Sequence, residues 1–238
     1  MIFDTYFDKT VEVLEKICTT QREKIAQAAA VAQRTIEKGG IIYIFGCGHS
    51  HLIAMDNFYR AGGLCNVSPI LDESLMLHDG AAKSSTLEKM PGLAESVLER
   101  YCLTQQDCLF VVSTSGKNAV PVEMAKKACL RGIPTVAVVS GAYFEDPGEK
   151  LYRCADLYID NCVPHGDAVM ALPGCDAPMG SVSTAASAFI LQSVLMEAAA
   201  AAAQNGCKVP IYLSGNIPGG AEFNKALIRE YMPRIKHL

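Results

Sequence analysis

The stretch that decides the fold reads Ile41-Ile42-Tyr43-Ile44-Phe45, followed at once by the loop Gly46-Cys47-Gly48-His49-Ser50. A second stretch of the same design, Cys108-Leu109-Phe110-Val111-Val112, leads into Ser113-Thr114-Ser115-Gly116-Lys117-Asn118. Short, continuous apolar runs bounded by such loops are typical of strands that are buried on both faces of a parallel sheet. Together the loops predict two strand ends that bind one anionic ligand between them, for which a sugar phosphate is the candidate.

Strand-like and helix-like segments alternate from residue 41 onward. Further strands are predicted at residues 64–70, 135–139 and 157–159, and helices at residues 51–61, 92–101, 120–130 and 184–205, with a last helix near residue 238. This alternation predicts an α/β fold, a three-layer αβα sandwich around a five-stranded parallel sheet. In the flavodoxin-like strand order 2-1-3-4-5 the first and third strands are neighbours, and ligands bind beyond the carboxyl ends of such strands. That order would bring the two loops into one site.

Three other parts of the chain are less regular or precede the sheet. Apolar residues recur every three or four positions from about Phe3 to Lys38, where Gly39-Gly40 ends the pattern, so one long N-terminal helix is predicted. Residues 1–38 are interpreted as a helical extension and residues 39–238 as the main domain. Residues 71–87 are predicted to be irregular, with room for short helical turns, and residues 161–179, rich in Pro and Gly, to form a long loop.

Composition and charge exclude several classes of function. The chain of 238 residues has a formal net charge of −4 and no Lys/Arg cluster, which argues against nucleic acid as a partner. Its first nine residues lack the pattern of a secretory signal, and its 10 cysteines are scattered without a C-x-x-C pair. We therefore expect reduced thiols in the cytoplasm and no metal site. Residues 184–205 include Gln192 and Glu197, so a buried helix is expected there and no membrane span.

The residue types in the two loops suit a phosphate group. Glycine permits a tight turn and a close approach of the backbone to a ligand, and hydroxyl groups donate hydrogen bonds without a fixed charge. A helix that follows such a loop offers unpaired N–H groups and a positive dipole end to an anion. Asn118 stands where it would cap the next helix. The predicted substrate-binding residues are Gly46, Gly48, Ser50, Ser113, Thr114, Ser115, Asn118 and, from the Pro/Gly-rich loop, Asp167.

Two alternatives remain open for the loops. Gly46-x-Gly48 also begins a dinucleotide-binding fingerprint, with Asp72 in the window for a ribose-binding acid. His51 stands at the third glycine position of that fingerprint, however, and the second loop is then unexplained. The other alternative is that both loops are ordinary helix caps, since serine is common at such positions.

These residues resemble the SIS (sugar isomerase) family of phosphosugar-binding domains, whose pattern is a G-x-G-x-S loop after the first strand and an S-x-S-G loop after the third. The run 113–116 is similar to that of bacterial phosphoheptose isomerases, and the wider pattern to the UPF0309 group of the same family. The similar segments are 45–51, 58–64, 118–124, 166–169 and 219–220. The resemblance covers nearly the whole chain from about residue 5.

The resemblance implies a flavodoxin-like sandwich that forms a homodimer or homotetramer, with sites near subunit interfaces. It also implies that Ser50, Ser113 and Ser115 contact the phosphate, with Thr114 and Asn118 close by. Asn118 departs from the pattern, because many SIS isomerases have Thr or Ser there, so that an amide would replace one phosphate-binding hydroxyl.

Sugar-phosphate isomerisation needs a base for a carbon-bound proton and an acid for a hydroxyl proton. Histidine is suited to this near neutral pH, and a carboxylate needs tuning by its surroundings. Phosphoheptose isomerases place a catalytic Glu in the general region of Glu73, for which Asp72 is an alternative. A solvated turn, a cap or an interface remains the plain interpretation of these positions. The predicted catalytic candidates are Glu73, His78, His49 and His165, while His237 is predicted to be exposed.

The sequence thus predicts a cytoplasmic sugar-phosphate isomerase that works through an enediol(ate) and needs no cofactor. Its predicted partner is a small-molecule sugar phosphate, with no nucleic acid and no membrane. The alternatives are a SIS lyase or deaminase that acts on an amino-sugar phosphate, and a non-catalytic sensor of a phosphosugar.

Overall fold

The strands of the central sheet are β1 (Ile42–Gly46), β2 (Val67–Ile70), β3 (Cys108–Val112), β4 (Thr135–Val139) and β5 (Leu157–Asp160). In the computed structural model, which describes residues 1–238, they pair in parallel in the order β2-β1-β3-β4-β5. The predicted flavodoxin-like order is therefore confirmed. β1 and β3 pair from Ile42–Cys108 to Gly46–Val112, so their loops leave the sheet side by side.

Helices cover both faces of this sheet, which confirms the three-layer αβα sandwich. They are α1 (Ile2–Thr20), α2 (Arg22–Glu37), α3 (His51–Asn57), α4 (Ala81–Leu87), α5 (Leu93–Leu98), α6 (Ala119–Leu130), α7 (Leu151–Cys154), α8 (Ser183–Gln204) and α9 (Gly220–Tyr231). Strand side chains alternate between the two faces. In β3, Phe110 packs with α1, α2, α3 and α8, whereas Leu109 and Val111 pack with α5, α6 and α7. All five residues of β3 are buried, as the continuous apolar run predicts.

The N-terminal segment forms two helices, so the prediction of one long helix is wrong. The break lies at Gln21, where the backbone leaves the helical region (φ −110°, ψ 5°). Just before it, the hydroxyls of Thr19 and Thr20 donate to carbonyl groups one turn back, which is typical of a bent or ending helix. The break lets α2 pack along α8, where Ala28 and Ala32 are fully buried. The boundary at residue 38 stays a prediction.

Two segments contain more regular structure than the sequence predicts, although the short helical turns of the first agree with the prediction. Residues 71–87 form two short 3-10 turns and then α4, and residues 161–179 include β6 (Ala168–Met170), which pairs antiparallel with β7 (Met179–Ser181). Helix α3 ends at Asn57, earlier than predicted, because Phe58 is extended and Tyr59 has a φ of 48°.

Helix α8 is long and apolar enough to cross a membrane by length and composition. Its inward side, which includes Ile190, Leu191 and Val194, is buried in the core against α2 and the sheet. These contacts are those of the buried helix that the sequence predicts.

Candidate functional site

A cleft of about 320 Å³ opens above the carboxyl ends of β1 and β3. Both predicted loops line it, with His49 and Ser50 from the first loop and residues 113–115 and Asn118 from the second. The strand order thus brings together two segments that are more than 60 residues apart in the sequence. Cys47 and Tyr143 add apolar wall.

The first loop is possible only with glycine at its start. A Cβ atom on Gly46 would lie 2.5 Å from the carbonyl oxygen of Ser50, so any side chain would force the loop apart. Gly48 has a φ of 55°, which favours glycine. Cys47 between them is buried, and burial raises the pKa of its thiol, to which the negative charge of Glu88 adds. The Cys47 thiol therefore stays protonated and is no nucleophile.

The second loop is held from below and leaves donors free above. The N–H of Ser113 donates to the Val138 carbonyl (3.0 Å), and the Gly116 carbonyl accepts from Leu151 N–H (2.8 Å). The backbone N–H groups of Thr114 and Ser115 make no hydrogen bond within the protein. Because polar backbone groups need partners, these two N–H groups are suited to an anion in the cleft.

Helix α4 forms a third wall, which the sequence analysis missed. Ser84, Ser85 and Glu88 line the cleft from this helix and its C-terminal end. The hydroxyl of Ser84 is buried and has no hydrogen-bond partner in the protein. Ser84 and Glu88 are four residues apart and so share one side of the helix. The four-residue spacing of Ser84 and Glu88 is the sequence signal for this wall. It indicates a shared face only if the segment is known to be a helix, and the short α4 has no apolar periodicity that would show this.

Glu88 is the carboxyl group of the cleft whose properties are altered most clearly by its surroundings. Burial raises its pKa above the usual carboxyl range, and a hydrogen bond from the Asn118 amide offsets part of that rise. The Glu88 carbonyl also accepts from the N–H of Val120 at 3.0 Å, which ties the end of α4 to the start of α6. A half-buried carboxyl of this kind is typical of a general base.

Asn118 occupies the predicted position at the start of α6, but its side chain does not cap that helix. The expectation that its amide caps α6 is therefore wrong. The Asn118 amide stabilises the ionised form of Glu88 instead, which no pattern in the sequence indicated. Its predicted contact with phosphate stays a prediction.

Asp167 reaches the edge of the cleft in a constrained conformation, with a φ of 65°. Its carboxylate accepts from the N–H groups of Val182 (3.0 Å) and Ser183 (2.8 Å) and from the Ser183 hydroxyl (2.6 Å). These contacts fix the start of α8 beside the cleft. Most of the accepting capacity of Asp167 is thus used, and its predicted contact with a sugar stays a prediction.

His165 lies outside the cleft, at its rim. Its ring stacks on Tyr143 with centroids 4.3 Å apart, and its Nε2 is 3.5 Å from the Asp146 carboxylate. The same carboxylate pairs with Lys117 of the second loop at 2.7 Å, and Lys117 holds the pKa of Asp146 below its usual range. His165 therefore connects the second loop to two other loops at the rim.

Glu73 and His78 line a neighbouring pocket of about 820 Å³ instead of the cleft. The ring of His78 meets His51 edge to face, with centroids 6.2 Å apart, and His51 Nδ1 hydrogen-bonds the Gly48 carbonyl. Since a carbonyl only accepts, Nδ1 of His51 carries a proton and donates it to the Gly48 carbonyl. The predicted catalytic residues are thus divided among the cleft (His49), this pocket (Glu73 and His78) and the rim (His165).

The prediction that His237 is exposed is wrong. Its Nε2 lies 2.8 Å from the Tyr101 hydroxyl, and the ring is half-buried at the edge of the same pocket. Burial, with the positive charges of Lys236 and Arg100, lowers the pKa of His237. Nowhere in the chain are three or more His, Cys, Asp or Glu side chains arranged to hold a metal ion.

The sequence of the chain is similar to that of a known family and of proteins in it. The family model of the SIS domain matches residues 5–140. A UPF0309 protein from Geobacillus thermodenitrificans is 41% identical over 240 residues, which cover 98% of this chain and 96% of the relative.

Solved structures have the same fold at low identity. The phosphoheptose isomerase GmhA from Neisseria gonorrhoeae matches with a TM-score of 0.57 at 16% identity, covering 82% of this chain and 96% of that chain. The Vibrio vulnificus NanR protein, solved in complex with ManNAc-6P, matches with a TM-score of 0.54 at 15% identity, covering 98% of this chain and 69% of that one. Because the family model spans more than half of the chain and the Geobacillus relative nearly all of it, the chain belongs to the SIS family of phosphosugar-binding domains.

Proposed function

We propose that this protein is a sugar-phosphate isomerase whose active site is the cleft between the β1 loop, the β3 loop and α4. The observation that carries the proposal is Glu88, a half-buried carboxyl group of raised pKa that lies beside a cradle of hydroxyl and N–H donors. A binding protein needs the cradle alone, whereas an isomerase also needs a base that is tuned toward neutral pH.

The phosphate is held by the two loops. Ser50 and residues 113–115 supply hydroxyl donors, and the unpaired N–H groups of Thr114 and Ser115 supply two more donors. Hydrogen bonds to a charged acceptor are stronger than neutral ones, so several of them hold a dianion without a lysine in the cleft. This arrangement favours a terminal phosphate over a dinucleotide, for which the third glycine of the fingerprint is replaced by His51.

The sugar lies against α4. The unpartnered Ser84 hydroxyl both donates and accepts, so it is suited to a carbonyl or hydroxyl oxygen of the substrate. The Glu88 carboxylate takes the proton from the carbon next to the carbonyl, which leaves an enediol(ate), and returns it to the former carbonyl carbon. His49, also in the cleft, moves a proton between the two oxygens. Each proton removed is thus returned, and no redox partner is needed.

A thermal-shift screen of sugar phosphates, with the unphosphorylated sugars as controls, tests the cradle. A ligand at a hundred times its dissociation constant stabilises the folded state by about 2.7 kcal/mol. We expect a rise in Tm only with phosphorylated ligands. Two results would contradict the proposal: an equal rise in Tm with the unphosphorylated sugars, or no rise in Tm with any ligand of the panel.

Product analysis with the ligands from that screen separates isomerisation from its alternatives. An isomerase converts aldose and ketose phosphates into each other, whereas a lyase or deaminase releases an acid or ammonia. Saturable binding with no product would instead favour a sensor, an outcome compatible with the likeness to NanR in complex with ManNAc-6P.

The variant Ser84→Ala tests the α4 wall. The Ser84 hydroxyl has no partner in the protein, so its removal is expected to leave stability unchanged. Loss of one hydrogen bond to the sugar is expected to weaken ligand binding by up to about tenfold. Ser96→Ala, at an exposed position of α5, is the matched control. Unchanged affinity in Ser84→Ala would remove the sugar from this wall.

Oligomeric state and cellular location stay predictions. A homodimer or homotetramer is expected to appear by light scattering in solution.

A further inference from the structure

A buried amide lies directly beneath the second loop of the cleft. Asn161, at the end of β5, is fully buried, and its backbone N–H donates to the Val139 carbonyl at 2.7 Å. Its side chain meets three different segments, at the Thr114 hydroxyl, the Ser187 hydroxyl and the N–H of Val163, each at 3.3 Å. A buried amide needs hydrogen-bond partners, and these three contacts determine how it is oriented.

The orientation of this amide follows from one of the three contacts. The N–H of Val163 can only donate, so the Asn161 side-chain oxygen must face it. The amide nitrogen, with two hydrogens, then faces the hydroxyl oxygens of Thr114 and Ser187, and both of these oxygens accept. No alternative orientation satisfies the Val163 N–H.

The consequence for the cleft concerns the hydroxyl proton of Thr114. Because the Thr114 oxygen accepts from Asn161, its own proton is free, and no acceptor for it exists within the protein. Thr114 lines the cleft, so this proton is available to a ligand there. A hydroxyl that is committed to donate suits a phosphate dianion, which has acceptors and no protons to offer.

We infer that Asn161 is a positioning residue that commits the Thr114 hydroxyl to donating into the phosphate cradle. The inference rests on the proposed function, because it explains why the Thr114 hydroxyl donates a hydrogen bond to the phosphate in that cradle. Asn161 acts through Thr114 and does not itself line the cleft. Neither residue type nor spacing marked this position, because the contact joins residues 47 positions apart.

A double-mutant cycle tests the inference. Binding of inorganic phosphate, and of a sugar phosphate from the screen, is measured by calorimetry for Asn161→Ala in three backgrounds: wild type, Thr114→Ser and Thr114→Val. We expect Asn161→Ala to weaken binding by about tenfold where the hydroxyl is present and by less than about twofold in Thr114→Val. An equal loss in all three backgrounds would mean a merely structural role and would overturn the inference.

The matched control is Ser187→Ala, which removes the other acceptor of the same amide nitrogen. We expect its phosphate affinity to equal that of the wild type, because the contact with Thr114 persists. Thermal melts establish that each variant is folded. Should Asn161→Ala not fold, Asn161→Asp is measured in the same backgrounds. Its carboxylate accepts from the hydroxyl of residue 114 and draws that proton away from the cleft, so the loss should again be larger where the hydroxyl is present.

The possible results separate this inference from the proposed function. A wild-type protein that binds no phosphate overturns both. A wild-type protein that binds phosphate, with no coupling between residues 161 and 114, overturns the inference alone.

Discussion

The polar groups of Asp107 and of the Ser84–Glu88 pair, which lie at opposite ends of the central sheet, have opposite surroundings. At the amino end, the buried Asp107 carboxylate accepts from the N–H of Ile41 (2.7 Å) and the N–H of Thr104 (2.6 Å). It also pairs with the Arg234 guanidinium at 2.8 Å. At the carboxyl end, the Ser84 hydroxyl is buried without a partner, and Glu88 keeps a raised pKa.

Asp107 is satisfied by partners within the protein, whereas the Ser84 hydroxyl has none. A buried polar group costs stability unless it is hydrogen-bonded, so a saturated carboxylate such as Asp107 stabilises the sheet. The unpartnered Ser84 hydroxyl lies in the wall of the cleft, where a ligand can supply the missing partner. Substitutions at the two ends should therefore separate stability from function.

The largest effect is expected for Glu88→Gln at the carboxyl end. Loss of the proposed base should lower kcat by about 10²- to 10⁴-fold, with no loss of stability. Steady-state kinetics on the substrate from the screen measures this effect, and Glu73→Gln is the matched comparison. Loss of activity in Glu73→Gln, with Glu88→Gln still active, would move the chemistry to the neighbouring pocket.

At the amino end, Asp107→Asn should act on stability alone. The substitution removes the buried carboxylate that accepts from two backbone N–H groups and from the half-buried Arg234, and should lower the free energy of unfolding by about 3 kcal/mol. Denaturant titration measures this change. The exposed pair Lys9–Glu12 is the control, and Glu12→Gln should have no measurable effect. Asp107→Asn with wild-type stability would show that the saturated end does not hold the sheet.

A smaller loss of stability is expected for Gly46→Ala, a substitution that should affect both stability and phosphate binding. Its Cβ would meet the Ser50 backbone at 2.5 Å, so the loop must shift, at a cost of about 1–3 kcal/mol. Phosphate binding should fall with it. Gly215→Ala adds a Cβ in open space and should change neither property. Full phosphate affinity in Gly46→Ala would show that the first loop does not depend on this close approach.

The smallest effect concerns pH and the pair Glu88–Asn118. Because the base must be ionised, kcat/KM should fall as pH drops through the raised pKa of Glu88. The Asn118 amide lowers that pKa, so Asn118→Leu should raise it further and move the acid limb to higher pH. Phosphate ionisation is the same for both proteins and cancels in the comparison. An acid limb at the same pH in both proteins would show that Asn118 does not control the pKa of Glu88.

The sheet and its two loops could be predicted from the sequence because their signals are local. The continuous apolar runs of β3 and β4 predicted their bounds to the residue, and the polar loops after the first and third strands favoured the strand order that the structure has. The break at Gln21 was missed because the apolar periodicity continues across it. Local periodicity thus identifies a helical segment but does not show where the helix bends or breaks.

The third wall of the cleft could not be predicted in the same way. Helix α4 has seven residues and no apolar stripe, and its place beside the loops depends on tertiary contacts such as that of Glu88 with Val120. The roles of Asn118 and Asn161 likewise depend on partners 30 and 47 positions away. Sequence patterns gave the anion-binding loops, whereas the tuned carboxyl group required the fold.

The most direct test of the central claim, a proton-transfer enzyme at the carboxyl end of the sheet, is isotope exchange. The sugar phosphate from the screen is incubated in D2O with the wild-type protein or with Glu88→Gln, and deuterium at the carbon next to the carbonyl is followed by NMR. We predict that the wild type incorporates deuterium and that Glu88→Gln binds the ligand without exchange. Equal exchange by both proteins, or saturable binding with no exchange by the wild type, would contradict the account.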